Sequence, residues 1–160
     1  DVLMRGRLEL LDQHGLGMTD VAEVIATLSP LDGAAAFLAE LRSRTQVILL
    51  SDTFEEFARP LMAQLGWPTV LCHRLEVDGQ DRIVDYRLRQ PDQKRKAVAA
   101  LQGLNYRVVA AGDSYNDTTM LAAADHGFLF RAPDNVSREF PQCPALTEYD
   151  DRLERATALL

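Results

Sequence analysis

The chain has 160 residues, 47% of them hydrophobic, which suffices for one domain with a sizeable core. Its formal net charge is -7 and it holds no run of Lys or Arg. That argues against a nucleic-acid or anionic-membrane surface, while a small phosphorylated substrate needs only local positive charge.

Val2, Leu3, Leu8, Leu10 and Leu11, with Met4, give an apolar helical stripe that stops at Gly15. Asp1 to His14 reads as the interior of an amphipathic helix, so the chain is expected to start inside a domain. Thr19 or Asp20 caps a second helix carrying Val21, Val24, Ile25 and Leu28, which ends before Pro30. Asp32 to Arg44 is a third helix, rich in Ala and Leu. Gln46 to Leu50 is a buried strand, ending in Ser51-Asp52-Thr53. Phe54 to Leu65 is helical, with Pro60 as an irregularity. Thr69 to Cys72 is a short strand. His73 to Leu88 alternates around Asp78-Gly79 and predicts a β-hairpin with a loop of two residues or more. Asp92 to Leu101 is a helix, with Lys94, Arg95 and Lys96 near its start. Arg107 to Ala111 is a central strand, Thr118 to Ala124 a helix and Gly127 to Phe130 a short strand. Arg131 to Pro144 is loop-rich, and Asp150 to Leu160 closes the chain as a helix. No apolar stretch approaches the length that spans a bilayer, and no secretory signal opens the chain. Cys72 and Cys143 lack metal spacing, so a reduced, cytoplasmic setting with two buried thiols is expected.

Strands alternating with helices imply right-handed βαβ units. The expected class is α/β: a Rossmann-like, mainly parallel sheet with helices on both faces, a small helical cap and a β-hairpin flap. Ligands of such sheets sit beyond the carboxyl ends of the strands. Two strands deliver polar groups to that edge. One ends in Ser51, whose hydroxyl and following backbone amides suit phosphate oxygens. The other ends in Gly112-Asp113-Ser114-Tyr115-Asn116-Asp117. Two carboxylates and an amide are hard oxygen donors, which suit magnesium with one or two protein carboxylates. Ser51, Asp52, Ser114, Asn116 and Asp117 are also good helix caps, and that reading stands beside the functional one. Lys94 sits against the helix dipole, which hints at an anionic partner. It is equally one of three cations on a solvated face.

The strand ending in Ser51, the later Lys94 and Gly112-Asp113-Ser114-Tyr115-Asn116-Asp117 resemble, in order, the second, third and fourth motifs of the haloacid dehalogenase superfamily. Four runs are similar to its phosphoserine phosphatase branch, and within it to the bacterial phosphoserine/homoserine phosphotransferase group. They are Glu23-Val-Ile-Ala-Thr-Leu28, Leu50-Ser-Asp-Thr-Phe54, Leu71-Cys-His73 and Ala111-Gly-Asp-Ser-Tyr-Asn-Asp-Thr-Thr-Met120. The resemblance covers nearly the whole chain. It implies that Ser51 binds a phosphate oxygen and that Lys94 neutralises the phosphoryl group. Asp113 would ligate Mg2+, and Asp117 would ligate it through water or orient Lys94. Asn116 and the backbone around Asp52-Thr53 would contact substrate, and Arg7 would pair with the phosphoserine carboxylate through its planar fork.

The same resemblance places an Asp-x-Asp nucleophile and acid/base pair before the cap, and this sequence begins after that point. The expectation is therefore a partial helical cap at residues 1-30 and an α/β core at residues 31-160 that lacks its first strand. The expected activity is magnesium-dependent phosphoryl transfer from phosphoserine to water or homoserine, with the nucleophile upstream of residue 1. The competing readings are a non-catalytic phosphate- and metal-binding module, and a receiver-like domain. The latter lacks the paired acids it needs after a first strand. A small-molecule substrate is expected, with neither nucleic acid nor membrane as partner. A homodimer is one assembly this reading admits, and it leaves the oligomeric state open.

Overall fold

The computed structural model describes residues 2–158. Helices α1 (Val2–Gln13), α2 (Met18–Ala26) and α3 (Ala34–Arg44) precede strand β1 (Ile48–Phe54), helix α4 (Glu55–Gln64) and strands β2 (Thr69–Val77) and β3 (Ile83–Arg87). Helix α5 (Gln93–Gly103), strand β4 (Val109–Gly112) and a 3-10 turn (Tyr115–Asp117) follow. Helix α6 (Thr118–Ala123), strand β5 (His126–Phe130), helix α7 (Asp134–Glu139), strand β6 (Ala145–Leu146) and helix α8 (Tyr149–Ala158) complete the order. The fold class is α/β, as the alternation of elements predicts, and the described residues form two compact units.

The first unit runs to Ala35 and resumes over Ile48–Pro91. Its sheet has the order β1-β2-β3, with β1 and β2 parallel and β2 and β3 antiparallel. Met4, Leu8 and Leu11 recur at helical spacing on α1 and pack with Phe54, Leu75 and Ile83. The helical cap and the hairpin thus share one apolar cluster. The hairpin loop covers residues 78–82. Asp78 Oδ1 accepts the N–H groups of Gln80 at 2.9 Å and Arg82 at 3.0 Å, so one Asp closes the turn.

Two predicted boundaries move here. Strand β1 continues past Leu50 through Ser51-Asp52-Thr53 to Phe54, with an irregularity in its register against β2 between Leu50 and Phe54. Extra residues bulge from the ladder there, which turns Phe54 inward to the cluster. Helix α4 consequently starts at Glu55, with extended Phe54 at its N-cap and no side-chain capping bond. It continues past Pro60 as one helix.

Helix α2 starts in an unusual way. Asp81, in the hairpin loop, accepts Met18 N–H on its backbone carbonyl at 2.8 Å and Thr19 N–H on Oδ2 at 2.9 Å. These are two of the donors a helix start leaves orphaned. Gly17 makes the approach possible, since a Cβ there would stand 2.5 Å from Asp81 Oδ2 and 2.7 Å from its carbonyl oxygen. Asp81→Ala is expected to cost about 1 kcal/mol, the usual worth of a side-chain cap. Urea unfolding measures it, and Asp81→Asn, which keeps the acceptor, should recover most of the loss.

The second unit holds Ala36–Val47 and the chain from Asp92 onward. Its sheet has the order β4-β5-β6, all parallel, with Gly112 opposite Leu129 and Leu129 opposite Ala145. Leu129, Val98, Val136 and Leu121 are buried at 0–2% exposure and form its centre. Lys94, Ala97 and Val98 lie on the inward stripe of α5. Helix α7 and strand β6 fall in or just after the stretch expected to be loop-rich. One has six residues and the other two, below the length at which periodicity can be read. The closing helix is present as α8, and its expected last residue, Leu160, lies outside the described residues.

Candidate active site

In the second unit, β4 is apolar and flanked by β5, and it ends at Gly112. The chain then turns on itself within five residues. Asp117 drives this turn. Its Oδ2 accepts Asp113 N–H at 3.0 Å, Ser114 N–H at 3.3 Å and the Ser114 hydroxyl at 3.3 Å. Its Oδ1 accepts Lys94 Nζ at 2.8 Å. The capping reading and the functional one are both realised here, since Ser114 and Asp117 form a capping box on the 3-10 turn. Gly112 is required by packing. A Cβ there would lie 2.4 Å from Asp117 Cβ and 2.5 Å from its Cγ.

The Lys94–Asp117 pair is buried, with both side chains 8% exposed. The sequence left Lys94 between a ligand-facing charge and one of three solvated cations. The structure buries it on the stripe of α5 that also carries Ala97 and Val98, while Arg95 and Lys96 stay exposed. The spacing to those two apolar residues is a signal that could have set Lys94 apart. Its helix is fastened beside the turn by Asp92, which stands at the N-cap position of α5 without a side-chain capping bond and accepts the Thr119 hydroxyl of α6 at 3.0 Å. The neighbouring Arg95 guanidinium holds the Asp92 carboxyl below its usual range.

Asp113 and Asn116 are exposed at the carboxyl end of β4. Asn116 Oδ1 accepts the Ser114 hydroxyl, so the amide is oriented by the turn. Asp113 is therefore a carboxylate held in place by its own backbone with its side chain presented outward. Among the described residues no group of three or more His, Cys, Asp or Glu side chains is arranged to hold a metal. The donor chemistry nonetheless fits magnesium, which takes as few as one protein carboxylate and completes its shell with water and phosphate. Asp113 is the side chain placed for that. Asp117 already accepts four donors, which suits the orienting role expected for it better than direct ligation.

In the first unit the structure brings Ser51, Asp52 and Thr53 together on the bulge of β1. Ser51 Oγ accepts Thr53 N–H at 3.2 Å, which curls the strand end around the hydroxyl. Neither Ser51 nor Asp52 forms the cap of α4. Beneath them lies a residue that the sequence reading quoted without a role. His73, 6% exposed, accepts Arg89 N–H on Nδ1 at 3.1 Å, which leaves its ring proton on Nε2. Nε2 faces Asp52 Oδ1 at 3.8 Å. Cys72 next to it is fully buried, and desolvation pushes its thiol up, so it behaves as an inert core residue. Arg7 stands exposed on α1, one residue before the core residue Leu8.

Comparison with known proteins agrees with these motifs. A family model described as a haloacid dehalogenase-like hydrolase matches residues 4–125. The chain is 62% identical over 151 residues to phosphoserine phosphatase ThrH of Pseudomonas aeruginosa, covering 94% of this chain and 74% of that protein. It is 61% identical over 151 residues to a phosphoserine phosphatase of Pseudomonas syringae pv. tomato, covering 94% of this chain and 64% of the relative. Among solved structures, a phospho-aspartyl intermediate analogue of phosphoserine phosphatase superposes with a TM-score of 0.68 at 22% identity. That match covers 81% of this chain and 64% of the other, and it speaks for the fold. The chain thus spans between about two thirds and three quarters of the curated relatives it matches.

Proposed function

The chain belongs to the haloacid dehalogenase-like hydrolase family, and from that premise we propose that it serves magnesium-dependent phosphoryl transfer from phosphoserine. Water is the acceptor, and homoserine is a second acceptor of the same kind. The observation that carries the reading is the buried Lys94–Asp117 pair under an exposed Asp113. A buried ammonium is costly unless it is paired, and here its partner also builds the turn. Such a cation, fixed before substrate arrives, is preorganised for a dianionic phosphoryl group.

The roles proposed are those the family resemblance implies, supported by the placement of Lys94, Asp113 and Asp117. Lys94 neutralises the phosphoryl group with its ammonium, one of whose donors goes to Asp117. Asp117 orients Lys94 and the turn. Asp113 holds magnesium, which supplies charge stabilisation on the transferring oxygens when bound. Asn116, Ser51 and the backbone of Asp52-Thr53 contact the substrate. Arg7 pairs with the amino-acid carboxylate. The phosphoryl group passes through an aspartyl-phosphate. The 160 residues contain no Asp-x-Asp pair, so the nucleophile in this proposal comes from outside them. The helical cap proposed for residues 1-30, the core proposed for residues 31-160, a homodimeric assembly and a cytoplasmic setting belong to the same reading.

Calorimetry with magnesium, and then with phosphoserine, tests it. Asp113→Ala is expected to bind magnesium at least about tenfold more weakly, since a carboxylate ligand is lost. Arg7→Lys is expected to weaken phosphoserine while leaving ethyl phosphate, which has no carboxylate, unaffected. Unchanged magnesium affinity in Asp113→Ala removes the metal assignment. Equal losses on both phosphate esters remove the role of Arg7.

A further inference from the structure

Tyr115 lies inside the turn between Gly112 and Asp117, yet none of the roles above uses its side chain. The phenol reaches away from the turn to α7. Its hydroxyl donates to Glu139 Oε1 at 2.7 Å and accepts from Asn135 Nδ2 at 3.2 Å. Its ring meets Phe140 edge-on with centroids 6.0 Å apart. The start, the end and the C-cap residue of α7 therefore all converge on one side chain. Helix α7 is itself anchored in the core, since Val136 is 2% exposed.

The turn needs such an anchor. A 3-10 turn of three residues has weak internal hydrogen bonds, and this one carries exposed Asn116 and lies just after exposed Asp113. Asp117 ties the turn to α5 from its buried side. Tyr115 is the side chain that ties the outer side to a separately fixed element. Its carbonyl also accepts the Thr118 hydroxyl at 2.8 Å, so the residue is held at both ends.

We infer that Tyr115, with Asn135 and Glu139, is a positioning residue that fixes the turn presenting Asp113 and Asn116 to a divalent cation and a phosphate. The cation part rests on the reading of Asp113 proposed above. The positioning part does not, and the two can be measured apart.

The probe for positioning is amide hydrogen exchange at Asp113 and Ser114, whose N–H groups both bond to Asp117. The probe for the cation is calorimetry with magnesium alone. Tyr115→Phe keeps the ring and removes both hydroxyl bonds. It is expected to speed exchange at those two amides roughly tenfold and to weaken magnesium about tenfold, the usual size of an outer-shell loss. The amides of β5 and the Tm should not move, which a general loss of structure would not permit. Glu139→Gln keeps an acceptor oxygen for the phenol and should stay within about twofold of the parent on both probes. Unchanged exchange at Asp113 and Ser114 in Tyr115→Phe overturns the inference, whatever happens to magnesium. A faster exchange in a protein whose parent form binds no magnesium supports the positioning role and removes the metal reading instead.

Discussion

Asp117→Ala is expected to lower the stability of the protein by about 3–5 kcal/mol, the range for breaking a buried ion pair by removing one partner. The cost has two sources. Lys94 loses the carboxylate it is paired with, at a place where both side chains are only 8% exposed. The N–H groups of Asp113 and Ser114 also lose their acceptor at the moment the turn loses its brace. The double variant Lys94→Met with Asp117→Leu is expected to be more stable than Asp117→Ala alone, because it removes the charge together with its partner. Both proteins should fail to bind inorganic phosphate. Urea unfolding of the three proteins measures the first part. A loss under about 1 kcal/mol for the single variant, the range of an exposed pair, would show that the pair is solvated in solution.

The second large effect is Gly112→Ala, expected to cost about 1–3 kcal/mol as an overpacking change. The added Cβ would stand 2.4–2.6 Å from Asp117 Cβ, Cγ and Oδ2. Side-chain rotation does not relieve this, because the Cβ of Asp117 is fixed to its backbone. Either β4 shifts against β5, where Gly112 is opposite Leu129, or Asp117 withdraws from Lys94. Both outcomes disturb Lys94, the cation proposed to meet phosphate, so phosphate binding should fall together with stability. Gly112→Ala combined with Asp117→Ser should regain neither stability nor phosphate affinity, since serine keeps the Cβ in the way and gives up the pair with Lys94. Phosphate affinity that survives in Gly112→Ala would mean that the turn tolerates a displaced Asp117.

Much of this molecule is legible in the residues. The helical spacing of Met4, Leu8 and Leu11 announces α1, and the apolar run before Gly112 announces β4, because burial leaves a periodic or continuous mark. The cluster of oxygen donors from Asp113 to Asp117 is legible because it directly follows an apolar strand. The boundaries that moved lack such marks. Ser51, Asp52 and Thr53 look like a strand end followed by caps, and only pairing with β2 shows that the strand carries on through a bulge. The partner of His73 is likewise not written locally, since Arg89 is joined to it by the hairpin. Tyr115 is in the quoted motif, but its role depends on α7, a helix too short to announce itself.

The start of α2 has a bearing on how the chain is made. Its first amides are closed by Asp81, a residue that leaves the ribosome 62 positions after Thr19. During synthesis α2 emerges well before its cap exists, and nine residues are too few for a helix to persist alone. The segment is therefore expected to stay fluctuating until the hairpin closes and delivers Asp81, so that cap and flap are completed in one late step. Because this contact is non-local, it is paid for in loop-closure entropy before it is rewarded. An Asp81→Ala substitution should then leave the folding rate nearly unchanged and speed unfolding, the kinetic mark of an interaction made after the transition state.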